Sequence, residues 1–549
     1  MLLPVLVGLV GVLLPAFGYF PALGGTVFTL EPWIRLFAEP GIWTASALGL
    51  FTGLASTAIS LALVVLLLAA GQTWIRRLLQ GLLAPLVAVP HIALGVGLTF
   101  LLMPSGWLVR LATPWPSGWE RPPSFPFPHD SDGLALILGL VVKETPFLLL
   151  VALAALPRLD EERRLVLARS LGYSPVTAWL KTVLPDLLQR LRLPLFAVVA
   201  YGVSNVEMAL ILGPGTPPTL AVLVLEWFQD PDLAKRFLGS AAALLQLAVV
   251  GLALAIWWAL LGALAFVGQG LAADGRRGLG RRSLPIALYL TLPPLLLVTL
   301  LSLVMLLIWS FADRWRFPAV WPSWSFATWL GKGEELAAVA GGSLALALAS
   351  SLIALLLTFA ALECETSSEP NRRDAKGPTL PRGLLAVLAV PLLVPQIAFL
   401  FGTAVAAAQL GLRVPWVLVL WGHLLFVLPY VYLALADPYR ALDRRYLAMA
   451  ASLGKGRWAA FLQVKLPLLL RPVLTAGAIG VAVSIALYLP TVLLGGGRVA
   501  TLASEAVTLS SGGDRRLLAV TALVQAVIPL LAIALAIWLG GRSRQGRAL

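Results

Sequence analysis

The chain has 549 residues, a mean hydropathy of +0.91, 59% hydrophobic residues and only 12% charged ones, about half the charge fraction of a soluble domain. That excludes a soluble globule, and the single cysteine, Cys364, excludes an internal disulfide framework or a Cys-rich metal site. A net charge of +14 would point to nucleic acid in a soluble protein, so its meaning depends on where the cations lie.

The N-terminus opens Met1-Leu2-Leu3-Pro4, without a basic n-region or a clear small-residue cleavage site, and the first apolar stretch is expected to be retained. A bilayer crossing takes about 20 mostly apolar residues. Twelve such stretches follow in chain order, near 2–23, 43–70, 79–103, 134–156, 193–212, 237–267, 284–311, 336–362, 383–410, 416–436, 472–494 and 517–540. The expected fold class is therefore an all-α polytopic membrane protein. With an even span count both termini share a side, and Lys/Arg placement selects it. The loops 71–78, 157–192, 268–283, 363–382, 437–471 and 541–549 hold 27 Lys and Arg, against 12 in the opposite set, so the first set is expected to be cytoplasmic. The basic charge then reports topology, and no nucleic-acid partner is expected. Tryptophans 107, 115, 119, 315, 321, 324 and 329 cluster in the outer loops, where interfacial anchoring accounts for them.

Internal repetition organises the chain further. The two longest basic loops match at an offset of 282 residues, with ten identities across 168–188 and 450–470. Ala168, Ser170, Leu171, Gly172, Ala178, Leu184 and Pro185 pair with Ala450, Ser452, Leu453, Gly454, Ala460, Leu466 and Pro467. Pro90-His-Ile-Ala echoes Pro395-Gln-Ile-Ala, and Gly213 with Thr219-Leu220 echoes Gly495 with Thr501-Leu502. The expectation is two parallel six-span halves, 1–267 and 284–549, joined by a basic cytoplasmic linker at 268–283, with a pathway between them.

Small residues, then Ser-Leu-Gly, then Leu-Pro thirteen residues after the Gly: this pattern resembles the EAA loop of binding-protein-dependent ABC importer permeases (type I). In that family the loop is the coupling helix that receives the motion of the ATPase. The resemblance implies coupling elements at Ser170, Leu171, Gly172, Ala178, Trp179, Leu184 and Pro185, and at Ser452, Leu453, Gly454, Ala460, Phe461, Leu466 and Pro467. Val166 and Ala448 stand where the family usually has Glu. Both halves in one polypeptide look like the fused permeases of ferric-ion and thiamine importers. The segments Pro104-Ser-Gly-Trp107, Lys143-Glu-Thr-Pro-Phe147, Tyr488-Leu-Pro-Thr491 and 510–516 resemble the YnjC type most closely. The resemblance implies an inner-membrane permease with two separate ATP-binding-cassette ATPases and an external or periplasmic solute-binding protein as partners.

A phosphate-cradling G-x-x-x-x-G-K-[ST] is absent from the sequence. No cofactor is therefore expected in this chain, ATP and Mg belonging to the partner ATPase, and no catalytic or metal residue is assigned. Ionisable residues at membrane depth are costly and default to functional candidates. These are Lys143, Glu144 and Glu207; His91, Ser204, Asn205 and Tyr488 join them as candidates for the translocation pathway. Leu489 stands where the offset places a partner for Glu207, and Gln396 replaces His91, so an asymmetric pathway is expected. A twelve-span, proton-coupled secondary carrier working through Glu144 or Glu207 is the competing reading. It leaves the paired inner loops unexplained.

Overall fold

The computed structural model describes residues 2–69, 83, 85–113, 115–275, 277–278, 283–368, 387, 390–412, 414–443 and 445–545. The whole loop 71–78, and parts of the expected stretches 79–103 and 383–410 and of the loops 268–283, 363–382 and 541–549, lie outside the described residues. Lipid offers no partner for a free N–H or C=O, which leaves the helix as the natural state of these apolar stretches.

Fourteen helices carry the architecture. The first seven are α1 (Leu2–Ala16), α2 (Ile42–Ala69), α3 (His91–Leu102), α4 (Leu134–Ala155), α5 (Leu184–Ser204), α6 (Glu207–Leu212) and α7 (Lys235–Ala273). The others are α8 (Ser283–Ser310), α9 (Gly333–Ser368), α10 (Gln396–Gln409), α11 (Pro415–Arg440), α12 (Leu470–Ala486), α13 (Leu489–Gly495) and α14 (Arg515–Gln545). Among the described residues eight helices are long and apolar enough to cross a membrane, or up to nine if the bent pair Arg457–Leu468 and Leu470–Ala486 is one span. The difference from twelve stretches has physical causes. The stretch 2–23 yields a 15-residue helix, because Gly18 turns the chain at φ +81°. The stretches 193–212 and 472–494 are each broken in two, at Asn205-Val206 and at Leu487-Tyr488.

The same devices occur in both parts of the chain. Gly139 on α4 faces Leu212, and a Cβ there would lie 2.5 Å from Leu212 Cδ1; Gly422 on α11 faces Leu494 at 2.3 Å in the same way. Each broken helix also has its last carbonyls tied by a buried glutamine from a long helix. Gln246 Nε2 on α7 donates to Val203 O at 3.2 Å, and Gln525 Nε2 on α14 donates to Ile485 O at 3.2 Å.

The first helix of each part packs on the other part. α1 lies on α10, where an added Cβ at Gly402 would sit 1.9 Å from Gly8 O and one at Gly11 2.6 Å from Gly402 O. α8 lies on α3, where a Cβ at Gly97 would sit 2.4 Å from Ser302 O. Small residues let backbones approach this closely, which is how helices associate where lipid removes the usual hydrophobic drive. Between α3 and α4 Arg110, only 2% exposed, pins the two parts together. Its guanidinium donates to Ser105 O, Arg316 O and Ala319 O at 2.7–3.0 Å and stacks over the Trp315 ring at 4.9 Å.

Candidate translocation pathway and cytoplasmic docking loops

The polar groups inside the membrane gather where helices are interrupted. The helix breaks at Val89-Pro90 and restarts at His91, which leaves carbonyls just before Pro90 without helix partners. Lys143, on α4, fills that gap by donating Nζ to Val87 O at 2.7 Å and to Val89 O. Its neighbour Glu144 points elsewhere, as adjacent helix positions must. Glu144 Oε1 lies 3.5 Å from His91 Nε2 at the start of α3, and the His91 ring packs 4.9 Å from that of Tyr201.

The break after α5 supplies the next group. Asn205 Oδ1 accepts the Met208 N–H at 2.8 Å, capping α6, while its Nδ2 approaches Glu207 Oε2 at 3.4 Å. Across the molecule, the break after α12 places the buried Tyr488 in the field of Glu207. Tyr201 feels both Glu144 and Glu207, and Tyr430 on α11 feels Glu144. Residues from both parts of the chain thus lie within electrostatic reach of the two carboxylates. The Ser204 hydroxyl, just before the break, turns back to Ala200 O at 2.7 Å.

The second break is stitched by His423 on α11, whose ring nitrogens meet Ser484 Oγ at 2.8 Å and Thr491 Oγ1 at 3.0 Å. Sequence reasoning missed Tyr201, Tyr430, Gln246 and Gln525. The glutamines carried a usable signal, a lone amide in an otherwise apolar span. The tyrosines carried none.

The two repeated basic loops share one helix ending. In the first, helix Glu161–Ser170 ends at Gly172 with φ +85°; in the second, helix Arg445–Ser452 ends at Gly454 with φ +75°. Tyr173 N–H donates to Ala168 O and Gly172 N–H to Arg169 O; Lys455 to Ala450 O and Gly454 to Ala451 O repeat the pair. This is the Schellman ending, whose left-handed residue favours glycine. It explains why Gly172 and Gly454 stand at one register. Ser170 and Ser452 hydroxyls bond back to Leu167 O and Met449 O.

Leu171 is 62% exposed and Leu453 77%, with Val166, Leu167, Tyr446, Met449 and Trp458 exposed beside them. Ala178, Trp179 and Ala460 are buried, and Trp179 Nε1 donates to Glu161 Oε1 at 2.9 Å. Leu184, Phe461, Leu466 and Pro467 are partly buried, and Pro185 is exposed at the start of α5. The outward-facing part of each loop is thus the helix end and its glycine turn.

Against known proteins, the chain is 34% identical over 530 residues to the inner membrane ABC transporter permease protein YnjC of Escherichia coli (strain K12), covering 93% of this chain and 92% of that protein. The chain belongs to the YnjC type of ABC transporter permeases. No family model matches it, and no solved structure matches it. The permease is a multi-pass protein of the inner membrane and a transport subunit, and its partners include ATPase subunits.

Proposed function

We propose that the permease forms the translocation pathway of an importer, taking a small solute from an external or periplasmic solute-binding protein. Two separate ATPase subunits drive it, one on each glycine-ended loop, and ATP with Mg is bound by them. Twelve crossings arranged as two parallel six-span halves, 1–267 and 284–549, with 268–283 as a cytoplasmic linker, place both termini in the cytoplasm. The broken helices, the glycine contacts and the glutamine ties that occur in both parts support the two-half reading. The solute would pass between the halves, beside His91, Lys143, Glu144, Asn205, Glu207 and Tyr488, as the ATPases close and open.

The observation that carries this reading is the pair of Schellman turns at Gly172 and Gly454, each presenting an exposed leucine on a basic loop. An exposed apolar side chain on a rigid turn suits a hot-spot contact in a partner's groove. The test is retention of the ATPase by purified variants. Leu171→Asp and Leu453→Asp should each weaken retention by about tenfold, the scale of losing one anchoring side chain, and the double variant should lose it. Leu410→Asp, exposed at the other end of the spans, serves as the control and should bind as wild type. A double variant that holds the ATPase at wild-type level would sink this reading.

A further inference from the structure

The two docking loops are built alike but anchored differently. The first has its polar braces on itself and on the linker, and it seats Trp179 and Val183 in the apolar core shared by α2, α4, α5 and α7. Trp179 bonds Glu161, Arg164 Nη1 meets Asp186 Oδ2 at 2.6 Å, Ser174 N–H donates to Arg277 O at 2.9 Å, and Lys181 pairs with Asp274 at 2.7 Å. The second loop is anchored in the transmembrane helices. After helix Arg457–Ala460 the chain takes a π-helical turn, Phe461–Lys465, a wider turn that often marks functional sites. That turn delivers Lys465, 5% exposed, inward.

Lys465 Nζ lies 2.6 Å from Glu363 Oε1 at the end of α9 and 4.1 Å from the centre of the Tyr439 ring on α11. Tyr439 donates its hydroxyl to the same carboxylate. Phe461 packs edge-on to Phe359 of α9 at 5.6 Å. Next to it, Arg440 pairs with Glu365 at 2.7 Å and donates to Tyr432 at 2.9 Å, so the ends of α9 and α11 are tied twice. Offset by 282 residues from Lys465 stands Val183, buried and apolar. The first loop has no such cation at this place.

We propose that Lys465 is a positioning residue that passes movement of the second docking loop to α9 and α11, making the two loops mechanically unequal. This rests on the reading that both loops receive ATPases. A buried cation held by a carboxylate and a ring face on two helices cannot shift without moving them. The first loop meets its transmembrane helices through apolar packing around Trp179 and Val183, and its polar ties run to the linker. α11 also carries Tyr430 and His423, so motion entering at Lys465 reaches the groups around Glu144 and the second helix break.

The chain supplies its own reporter. Cys364, the one cysteine, is exposed between Glu363 and Glu365. The experiment uses the full permease with its ATPase subunits in nanodiscs. It compares the rate of maleimide labelling of the permease at Cys364 without nucleotide and with ATP, Mg and vanadate. In wild type the two rates should differ by about fivefold or more, the lower end of ordinary allosteric coupling.

Lys465→Met should keep the ATPase bound and hydrolysing while the two rates become equal. Lys465→Arg should restore the difference, and Lys181→Met should leave it at wild-type size. A Lys465→Met permease with the wild-type ratio would overturn the assignment and leave ATPase docking intact. A wild-type ratio of one with the ATPase bound would overturn it too, since the end of α9 would then not move. Failure of the docking reading is seen separately, as undiminished ATPase retention by the Leu171→Asp, Leu453→Asp double variant.

Discussion

At the scale of single residues, glycine does two different jobs here, and the structure separates them. Gly172 and Gly454 are required by backbone sign, and around Gly454 there is open space for a side chain. Gly402 is required by proximity, because Gly8 O occupies the place of its Cβ. Gly402→Ala should force α1 away from α10 and cost about 1–3 kcal/mol, as overpacking does. Gly251→Ala, on α7 with nothing within 4 Å of the new atom, should be neutral or stabilising by up to about 1 kcal/mol. Thermal unfolding of the two purified variants in the same detergent checks the contrast. Equal midpoints would mean that the α1–α10 contact is slack.

At the scale of elements, the interrupted helices explain most of what was and was not legible in the sequence. The positions of the apolar stretches and the two glycine-ended loops could be read, because hydropathy and Gly-to-Pro spacing survive in one dimension. The breaks at Asn205-Val206 and Leu487-Tyr488 could not. Both lie inside stretches apolar enough to read as single spans; Ser204, Asn205 and Glu207 mark the first as polar but not as broken, and it has no proline. Lys143 illustrates the same limit. Its charge stood out, but its role as a cap for the carbonyls before Pro90 depends on a neighbouring helix. Trp179 looked like a docking side chain and is an internal brace.

The glutamine ties make the energetics of these breaks testable. Gln246→Leu strands the Val203 carbonyl away from water and should cost about 1–3 kcal/mol. Gln525→Leu should cost less, since the Gln525 Oε1 it also removes is itself buried without a partner. Guanidine-free thermal denaturation of the two variants gives the order, and a larger loss at Gln525 would contradict this account.

At the scale of the whole molecule, orientation rests on the uneven distribution of Lys and Arg between the two faces, 27 against 12. Cys364 lies at the end of α9, on the side assigned to the cytoplasm. A membrane-impermeant maleimide should leave it unlabelled in intact spheroplasts and label it after permeabilisation. Labelling in intact cells would invert the topology. The reciprocal seating of α1 on α10 and α8 on α3 has a consequence for biogenesis. The first part of the chain leaves the ribosome with α1 and α3 each missing a neighbour that is encoded several hundred or about two hundred residues later. Its glycine-lined faces must wait in the bilayer until α8 and α10 are synthesised. These contacts are therefore completed only by the second part of the chain, and a nascent chain truncated at the linker should be degraded by membrane proteases faster than the full permease.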